Sequence, residues 1–312
     1  MKCILILLSA ICIVACTSEP KREKVTGLLA ESAMVVSAHP LASKVGVDIL
    51  KKGGNAVDAA IATQFALAVV HPVAGNIGGG GFMVLRLASD SIATLDYREK
   101  APAAATPTMY IGETGELVEG LSTKGHLASG IPGTVAGLVE AHAKFSKLPW
   151  KDLVQPAIDL ARNGFPLTKS EAEGLTRIQK DLAGLNTVSP DFLLKEEWKE
   201  GDLIYWLDLS KTLERIRDNG KAGFYEGKTA DDLVSEMTRG KGIITHDDLK
   251  NYQAVWRKPI VGFYKGYKII SMPPPSSGGI ALMQLLKSVE PFPIAEWVAK
   301  VISLQYGKVQ AN

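Results

Sequence analysis

Arg98 is the residue of this 312-residue chain whose type and position point most directly to chemistry. It directly follows an apolar run, Ile92 to Tyr97, that is typical of a β-strand and is preceded by a matching run, Phe82 to Leu87. A guanidinium at a strand end can hold a carboxylate through two parallel hydrogen bonds. The residue chemistry alone leaves a second interpretation open, and favours it: an exposed arginine in a surface ion pair with Glu99.

Four consecutive glycines, Gly78 to Gly81, precede the first of these strands. A phosphate-binding loop needs a strand, then the glycines, then a helix whose N-terminus faces the phosphate. Here the predicted order is helix, glycine loop, strand, and no Gly-Lys-Ser/Thr follows. The glycines therefore indicate a structural turn or a close approach of two backbones rather than a nucleotide site.

Other catalytic patterns are incomplete. Ser276 and Ser277 lie in a loop rich in proline and glycine, but nothing in the sequence places a base beside them and no Gly-x-Ser-x-Gly occurs. No carboxylate pair stands out, and the five histidines show no i, i+4 pair or neighbouring cysteine cluster. The sequence predicts no metal site and no cofactor, and the residues alone define no complete active site.

The composition and the N-terminal sequence limit the class of protein to which the chain can belong. The chain is 46% hydrophobic and 22% charged with a net charge of +2, which gives no basic surface of the kind that binds nucleic acid. An apolar run, Ile4 to Ala15, ends in Ile13-Val14-Ala15-Cys16, which resembles a bacterial lipobox. We therefore expect residues 1–16 to be a lipoprotein signal, with the lipid on Cys16 as the membrane contact; an ordinary cleaved signal peptide is the alternative. Either way an exported protein is expected, periplasmic or membrane-anchored.

The remaining pattern predicts a single α/β domain, with strands near both ends of the chain and helices between them. Residues 17–32 form a polar tether, and the domain covers residues 33–296. The pattern predicts a short strand at Met34 to Ser37 and a helix from Leu41 to Lys52. It then predicts a nearly all-apolar helix from Ala56 to Val70, capped by Asn55 and Asp58. Late in the chain it predicts a hairpin of two strands, Val255 to Phe263 and Tyr267 to Met272.

Six segments, in this order, resemble the γ-glutamyltransferase family (γ-glutamyl transpeptidase, glutathione hydrolase), and the similarity runs from about Val35 to about residue 290. They are Ala38-His39-Pro40-Leu41-Ala42-Ser43, Gly53 to Ala60, Gly78 to Met83, Asp96-Tyr97-Arg98-Glu99-Lys100-Ala101-Pro102, Ile131 to Gly137, and Met272 to Gly279.

The resemblance implies a four-layer αββα sandwich of the N-terminal-nucleophile hydrolase type, incomplete in this chain. It also implies a precursor that cleaves itself, after which the new N-terminal threonine of the small subunit attacks the γ-glutamyl amide with its own amine as base. The γ-glutamyl group then passes to water or to an amino acid, without a metal or organic cofactor. Arg98 matches the family's arginine for the substrate α-carboxylate, which reverses the interpretation reached from its chemistry alone.

The catalytic residues of the family are not matched in this chain. The resemblance places the nucleophilic threonine beyond Asn312, and residues 297–312 do not resemble the family's continuation, as a frameshift or premature stop near Trp297 would cause. We therefore expect a chain that binds glutathione or another γ-glutamyl compound, needs a small-subunit half and is inactive alone. The alternative is a non-catalytic exported lipoprotein that binds γ-glutamyl ligands, amino acids or a partner subunit.

Overall fold

The computed structural model describes Gly27 and residues 29–298. The predicted lipoprotein signal, including Cys16, and the divergent tail beyond residue 298 lie outside the described residues. From Val35 onward the described chain forms one compact unit.

The described unit is a mixed α+β structure. Its helices are α1 (Pro40–Lys51), α2 (Ala56–Val70), α3 (Thr134–Phe145), α4 (Trp150–Asn163), α5 (Lys169–Ala183), α6 (Leu207–Asn219), α7 (Ala222–Tyr225), α8 (Gly227–Arg239), α9 (His246–Asn251) and α10 (Gly278–Val289). Its strands are β1 (Phe82–Arg86), β2 (Ile92–Asp96), β3 (Phe165–Pro166), β4 (Leu203–Ile204), β5 (Val255–Arg257), β6 (Ile260–Tyr264) and β7 (Tyr267–Ser271). No helix among the described residues is both long and apolar enough to cross a membrane.

Helix α2 is the centre of the hydrophobic core, as its sequence predicts. Its N-terminus is closed by a reciprocal capping box, in which the Asn55 side chain accepts from the backbone of Val57 and Asp58 and the Asp58 carboxylate accepts from the Asn55 N–H. Asp58 is fully buried and also accepts the backbone N–H groups of Lys147 and Leu148. A single carboxylate thus starts α2 and attaches the loop that connects α3 to α4.

The main sheet is antiparallel with the strand order β1-β2-β5. Strand alternation separates its two faces. Leu95 of β2 lies opposite Met83 and Trp256, and these three side chains pack into the helical core. Thr94 and Asp96 lie on the other face, where Thr94 donates to the Arg257 carbonyl and the Asp96 carboxylate pairs with the Arg257 side chain.

The late hairpin differs from the prediction. β5 pairs with β2, whereas β6 and β7 form a separate two-stranded sheet around a turn at Lys265 and Gly266. The predicted strand is divided at Lys258-Pro259 because proline has no N–H to donate to a ladder. The predicted strand at Met34 to Ser37 is also wrong: these residues are irregular, and no described strand lies beside them to pair with their backbone.

The β6–β7 hairpin and α10 pack on each other and expose apolar side chains. Phe263 is 60% exposed and Leu285 64%, and only Gly279 of α10 is buried. The other exposed apolar side chains of this group, which we call the apolar surface, are Val261, Tyr267, Ile280 and Leu282. Val261 and Phe263 alternate with Gly262, whose face of the hairpin packs on Met283 of α10, so the exposed apolar side chains lie on both sides of this unit. Exposed apolar side chains of this kind mark an interaction surface or an aggregation liability.

Candidate functional site

Arg98 lies immediately beyond the end of β2, where the structure places an exposed guanidinium on a fixed backbone. The preceding residue, Tyr97, is buried and donates its hydroxyl to Gln64 of α2 at 3.1 Å. Burial raises the pKa of Tyr97 and the hydrogen bond to Gln64 partly opposes that rise. Tyr97 therefore anchors the strand end to the helical core, directly beside the exposed Arg98.

Asp96 connects Arg98 to a second arginine. Its carboxylate is 6% exposed and accepts the Arg98 backbone N–H at 3.0 Å and the Arg257 Nε–H at 2.7 Å. Arg257 comes from β5, so one buried carboxylate attaches the Arg98 backbone to the neighbouring strand. Asp96 balances the charge of Arg257, and within the described residues Arg98 forms no ion pair with a carboxylate, including that of Glu99. The surface ion pair with Glu99, which the residue chemistry alone favours, is not formed.

The Pro-Pro-Pro-Ser-Ser-Gly-Gly loop meets Arg98 from the other end of the chain. The Pro275 carbonyl oxygen accepts from Arg98 Nη1 at 3.4 Å, across 177 positions of sequence. In the same loop the Ser276 hydroxyl accepts the Gly278 N–H at 3.3 Å, and among the described residues it has no hydrogen bond to a histidine or carboxylate that could act as a base. Two of the six resembling segments therefore meet at Arg98, which makes its surroundings the candidate site.

The glycine run has a structural role at this site, as the element order predicts. The Gly79 carbonyl accepts the N–H groups of Gly133 and Thr134, which are the first donors of α3. A protein carbonyl thus occupies the helix N-terminus that a phosphate would need. A Cβ on Gly80 would lie 2.8 Å from the Arg98 Cα, so the loop packs directly against the backbone of the candidate binding residue.

Tyr252 is a residue of the site that the sequence did not predict. Its hydroxyl donates to the Arg98 carbonyl at 2.8 Å. The contact spans 154 positions, and no local pattern indicates it. Asp96 carried a weak sequence indication, because a carboxylate at the end of an apolar strand needs a partner when it is buried.

The side chains of His39, His126, His142 and His246 make structural contacts away from Arg98. His39 caps α1 through Nδ1, which accepts the Leu41 N–H, and its Nε2 lies 2.9 Å from Glu171. Burial lowers the pKa of His39, opposed in part by Glu171. Among the described residues no group of three His, Cys, Asp or Glu side chains is arranged to hold a metal ion.

Comparison with known proteins decides the family. The model of the gamma-glutamyltranspeptidase family matches residues 42–308. The chain belongs to the gamma-glutamyltranspeptidase family. Its curated relatives include the glutathione hydrolase proenzymes of Pseudomonas sp. (strain A14), 44% identical over 269 residues, and of Escherichia coli (strain K12), 45% identical over 270 residues. Each alignment covers 86% of this chain and 47% of the relative, so the chain spans about half the length of the curated relatives it matches.

Solved gamma-glutamyltranspeptidases share the fold. The structure of the Helicobacter pylori gamma-glutamyltranspeptidase has a TM-score of 0.83 and 44% identity, covering 87% of this chain and 78% of that chain. The family resemblance expected from the six sequence segments is therefore confirmed. The matched part is the large-subunit portion of the gamma-glutamyltranspeptidase, and the role of Arg98 in binding substrate stays a prediction.

Proposed function

We propose that this chain is the γ-glutamyl-binding half of a gamma-glutamyltranspeptidase, and that Arg98 binds the α-carboxylate of the γ-glutamyl group of glutathione or a related compound. One observation carries the proposal: in a chain of this family, Arg98 has its backbone fixed by buried groups while its guanidinium is exposed and lies beside the Pro275 carbonyl. A planar guanidinium in that position suits a carboxylate bound through two hydrogen bonds.

The chemistry requires a complementary half, as the family resemblance implies. In the proposed enzyme the threonine hydroxyl of a small subunit attacks the γ-carbonyl carbon, and the threonine amine takes the hydroxyl proton and passes it to the leaving amine. The resulting ester is then cleaved by water or by the amine of an acceptor amino acid. We propose that the small subunit packs on the apolar surface and completes the four-layer αββα sandwich, because this surface is the most exposed apolar part of the described strands and helices.

Binding of glutathione and L-glutamate to the full chain, measured by isothermal titration calorimetry, tests the role of Arg98. Arg98→Lys keeps the charge but loses the second hydrogen bond, and we expect about tenfold weaker binding, which corresponds to about 1.4 kcal/mol. Arg98→Ala should weaken binding further. Arg86→Ala is the matched control, because Arg86 is an exposed arginine of the same sheet that pairs with Asp90. Equal binding by wild type and both Arg98 variants would refute the proposed function.

A turnover measurement distinguishes the proposed enzyme half from a non-catalytic binding protein. The chain is mixed with a separately produced small-subunit half of a relative, and release of the chromophore from a γ-glutamyl anilide is followed with and without an amino-acid acceptor. Turnover that requires both halves and is lost with Arg98→Ala supports the enzyme, and its dependence on acceptor distinguishes transpeptidation from hydrolysis. Ligand binding without turnover in any mixture would support the non-catalytic alternative.

We also propose that the protein is exported and attached to the membrane through a lipid on Cys16. The lipobox supports this proposal, and Cys16 lies outside the described residues. Cells grown with a labelled fatty acid should incorporate the label into the wild-type protein but not into Cys16→Ser. Unlabelled wild-type protein with a processed N-terminus would instead indicate an ordinary signal peptide.

A further inference from the structure

We infer that Tyr252 is a positioning residue for Arg98: its hydroxyl fixes the Arg98 carbonyl and thereby sets where the guanidinium presents itself to a carboxylate. The inference rests on the proposed function of Arg98. Tyr252 follows α9 directly, is 2% exposed and donates to the Arg98 carbonyl at 2.8 Å. It would not contact the substrate itself, and its effect would pass through the backbone of Arg98.

The ring of Tyr252 is held in place by its neighbours. It stacks on Tyr225, with centroids 5.9 Å apart and planes 9° from parallel, and the Lys100 ammonium lies 4.9 Å from its centroid. The Lys100 ammonium is itself bound to the Gln253 carbonyl at 2.7 Å. A ring held by these contacts brings its hydroxyl to Arg98 without a further loss of side-chain freedom on binding.

The hydroxyl of Tyr252 keeps its proton and remains a donor across the working pH range. Burial raises its pKa, and the negative charges of Asp96 and Glu99 raise it further. The packing around the hydroxyl is close: a Cβ on Gly133 would overlap both the Tyr252 hydroxyl and the Tyr97 carbonyl. Only a residue without a side chain fits the space beside this hydrogen bond.

The peptide groups on both sides of the Arg98 Cα are therefore held. Asp96 accepts the N–H on one side, Tyr252 donates to the carbonyl on the other, and the Gly80 backbone packs against the Cα itself. With the Cα fixed, the guanidinium can move only through its side-chain torsions. Loss of the Tyr252 hydroxyl would release one of these peptide groups and widen the range of guanidinium positions, so that fewer of them match a bound carboxylate.

Tyr252→Phe tests the inference, with Tyr225→Phe as a matched control. Both substitutions remove one phenolic hydroxyl from the same stacked pair, and both remove a bond to a backbone carbonyl, since the Tyr225 hydroxyl donates to Pro132 at 2.8 Å. Only Tyr252 contacts Arg98. The full chain is titrated with glutathione by calorimetry, its thermal midpoint is recorded, and the Arg98 Nε–H resonance is followed by NMR of ¹⁵N-arginine-labelled protein, assigned through Arg98→Lys.

We expect Tyr252→Phe to weaken glutathione binding about three- to tenfold and to shift or broaden the Arg98 resonance in the ligand-free protein. Tyr225→Phe should change binding less than twofold and leave that resonance in place, even if both variants lower the thermal midpoint equally. Equal binding and an unchanged resonance in Tyr252→Phe would overturn the inference. So would a Tyr252→Phe chain that does not fold, because the hydroxyl would then serve the stability of the fold.

The NMR measurement separates this inference from the proposed function. If no form of the chain binds glutathione, but the Arg98 resonance changes in Tyr252→Phe and not in Tyr225→Phe, Tyr252 positions Arg98 and the proposed ligand is wrong. If wild type and Tyr252→Phe bind glutathione equally while Arg98→Ala does not, the proposed function stands and the role of Tyr252 is refuted.

Discussion

Replacing Asp96 by asparagine changes one buried carboxylate that serves two donors. Its two oxygens accept the Arg98 N–H at 3.0 Å and the Arg257 Nε–H at 2.7 Å. An asparagine of the same shape has one acceptor oxygen and one NH₂ group, so one of the two donors must face another donor. The substitution also removes the charge that balances Arg257.

The cost follows from the burial of the two partners. A hydrogen bond to a charged group contributes about 1.5–3 kcal/mol, and a buried donor left without an acceptor costs a similar amount. Asp96 is almost fully buried, but the Arg257 side chain is 36% exposed and keeps part of its hydration. We therefore expect Asp96→Asn to lower the free energy of unfolding by about 2 kcal/mol and the thermal midpoint by about 3–4 °C.

Urea unfolding followed by tryptophan fluorescence measures the cost, because Trp256 lies opposite Leu95 in the same sheet. In a protein that already carries Arg257→Met, Asp96 has lost one of its two partners. In that protein Asp96→Asn should lower the free energy of unfolding by at least about 1 kcal/mol less than it does in the wild type. Asp90→Asn, which changes an exposed carboxylate paired with Arg86, is the control and should cost less than about 0.5 kcal/mol. The same cost for Asp96→Asn in both backgrounds would show that the carboxylate does not couple Arg98 to β5.

Three further substitutions test the rest of the fold. Asp58→Ala removes the acceptor of the α2 cap and of the Lys147 N–H, and should lower the free energy of unfolding by about 3 kcal/mol in urea titrations; a loss below about 1 kcal/mol would contradict its role as a joint between two segments. The Glu236 carboxylate accepts several hydrogen bonds, and the one from Thr187 does most to lower its pKa from 4.5 to about 2. The ionised carboxylate therefore contributes its full share to the free energy of unfolding above pH 4.5, and this contribution is lost as the pH falls toward 2. Glu236→Gln should accordingly be less stable than wild type by about 1 kcal/mol at pH 7 and equal to it near pH 2, and a difference in thermal midpoint that does not change with pH would contradict the assignment. Phe263→Lys should raise the soluble concentration of the isolated chain and abolish any turnover gained by adding a small-subunit half, without lowering the thermal midpoint; unchanged solubility and turnover would remove the apolar surface from the proposed interface.

Local patterns predicted most of the helical scaffold because local contacts form it. The Asn55–Asp58 capping box occurs where the sequence predicts it, and α2 has the bounds that its apolar run indicates. The first two strands of the main sheet are also correct to within one residue at their ends. Pro259 marks the break between β5 and β6 in the sequence. The sequence does not show that the two strands join different sheets, because that depends on which strand is available to pair with each of them.

The candidate site was predictable only in part. Arg98 was identified by its motif, and the resemblance rather than the residue chemistry predicts a binding role for it. Tyr252 and Pro275 were missed because they reach Arg98 across 154 and 177 positions, and a tyrosine after a short helix or a proline in a loop carries no pattern that names its partner. Family membership explains why these segments coexist in one chain, whereas the geometry shows that they meet.

The pairing of β2 with β5 also sets the order in which the chain can acquire its site. Thr94 lies opposite Arg257, so the third strand of the sheet and the Tyr252 hydroxyl become available only after more than half of the described chain has followed β2. Closing so long a loop is a late and slow event, because its entropy is lost before the contacts form. On the ribosome, α1 and α2 can form early while the Arg98 carbonyl still lacks the Tyr252 hydroxyl, and the contacts that fix the Arg98 backbone are complete only when β5 closes the sheet.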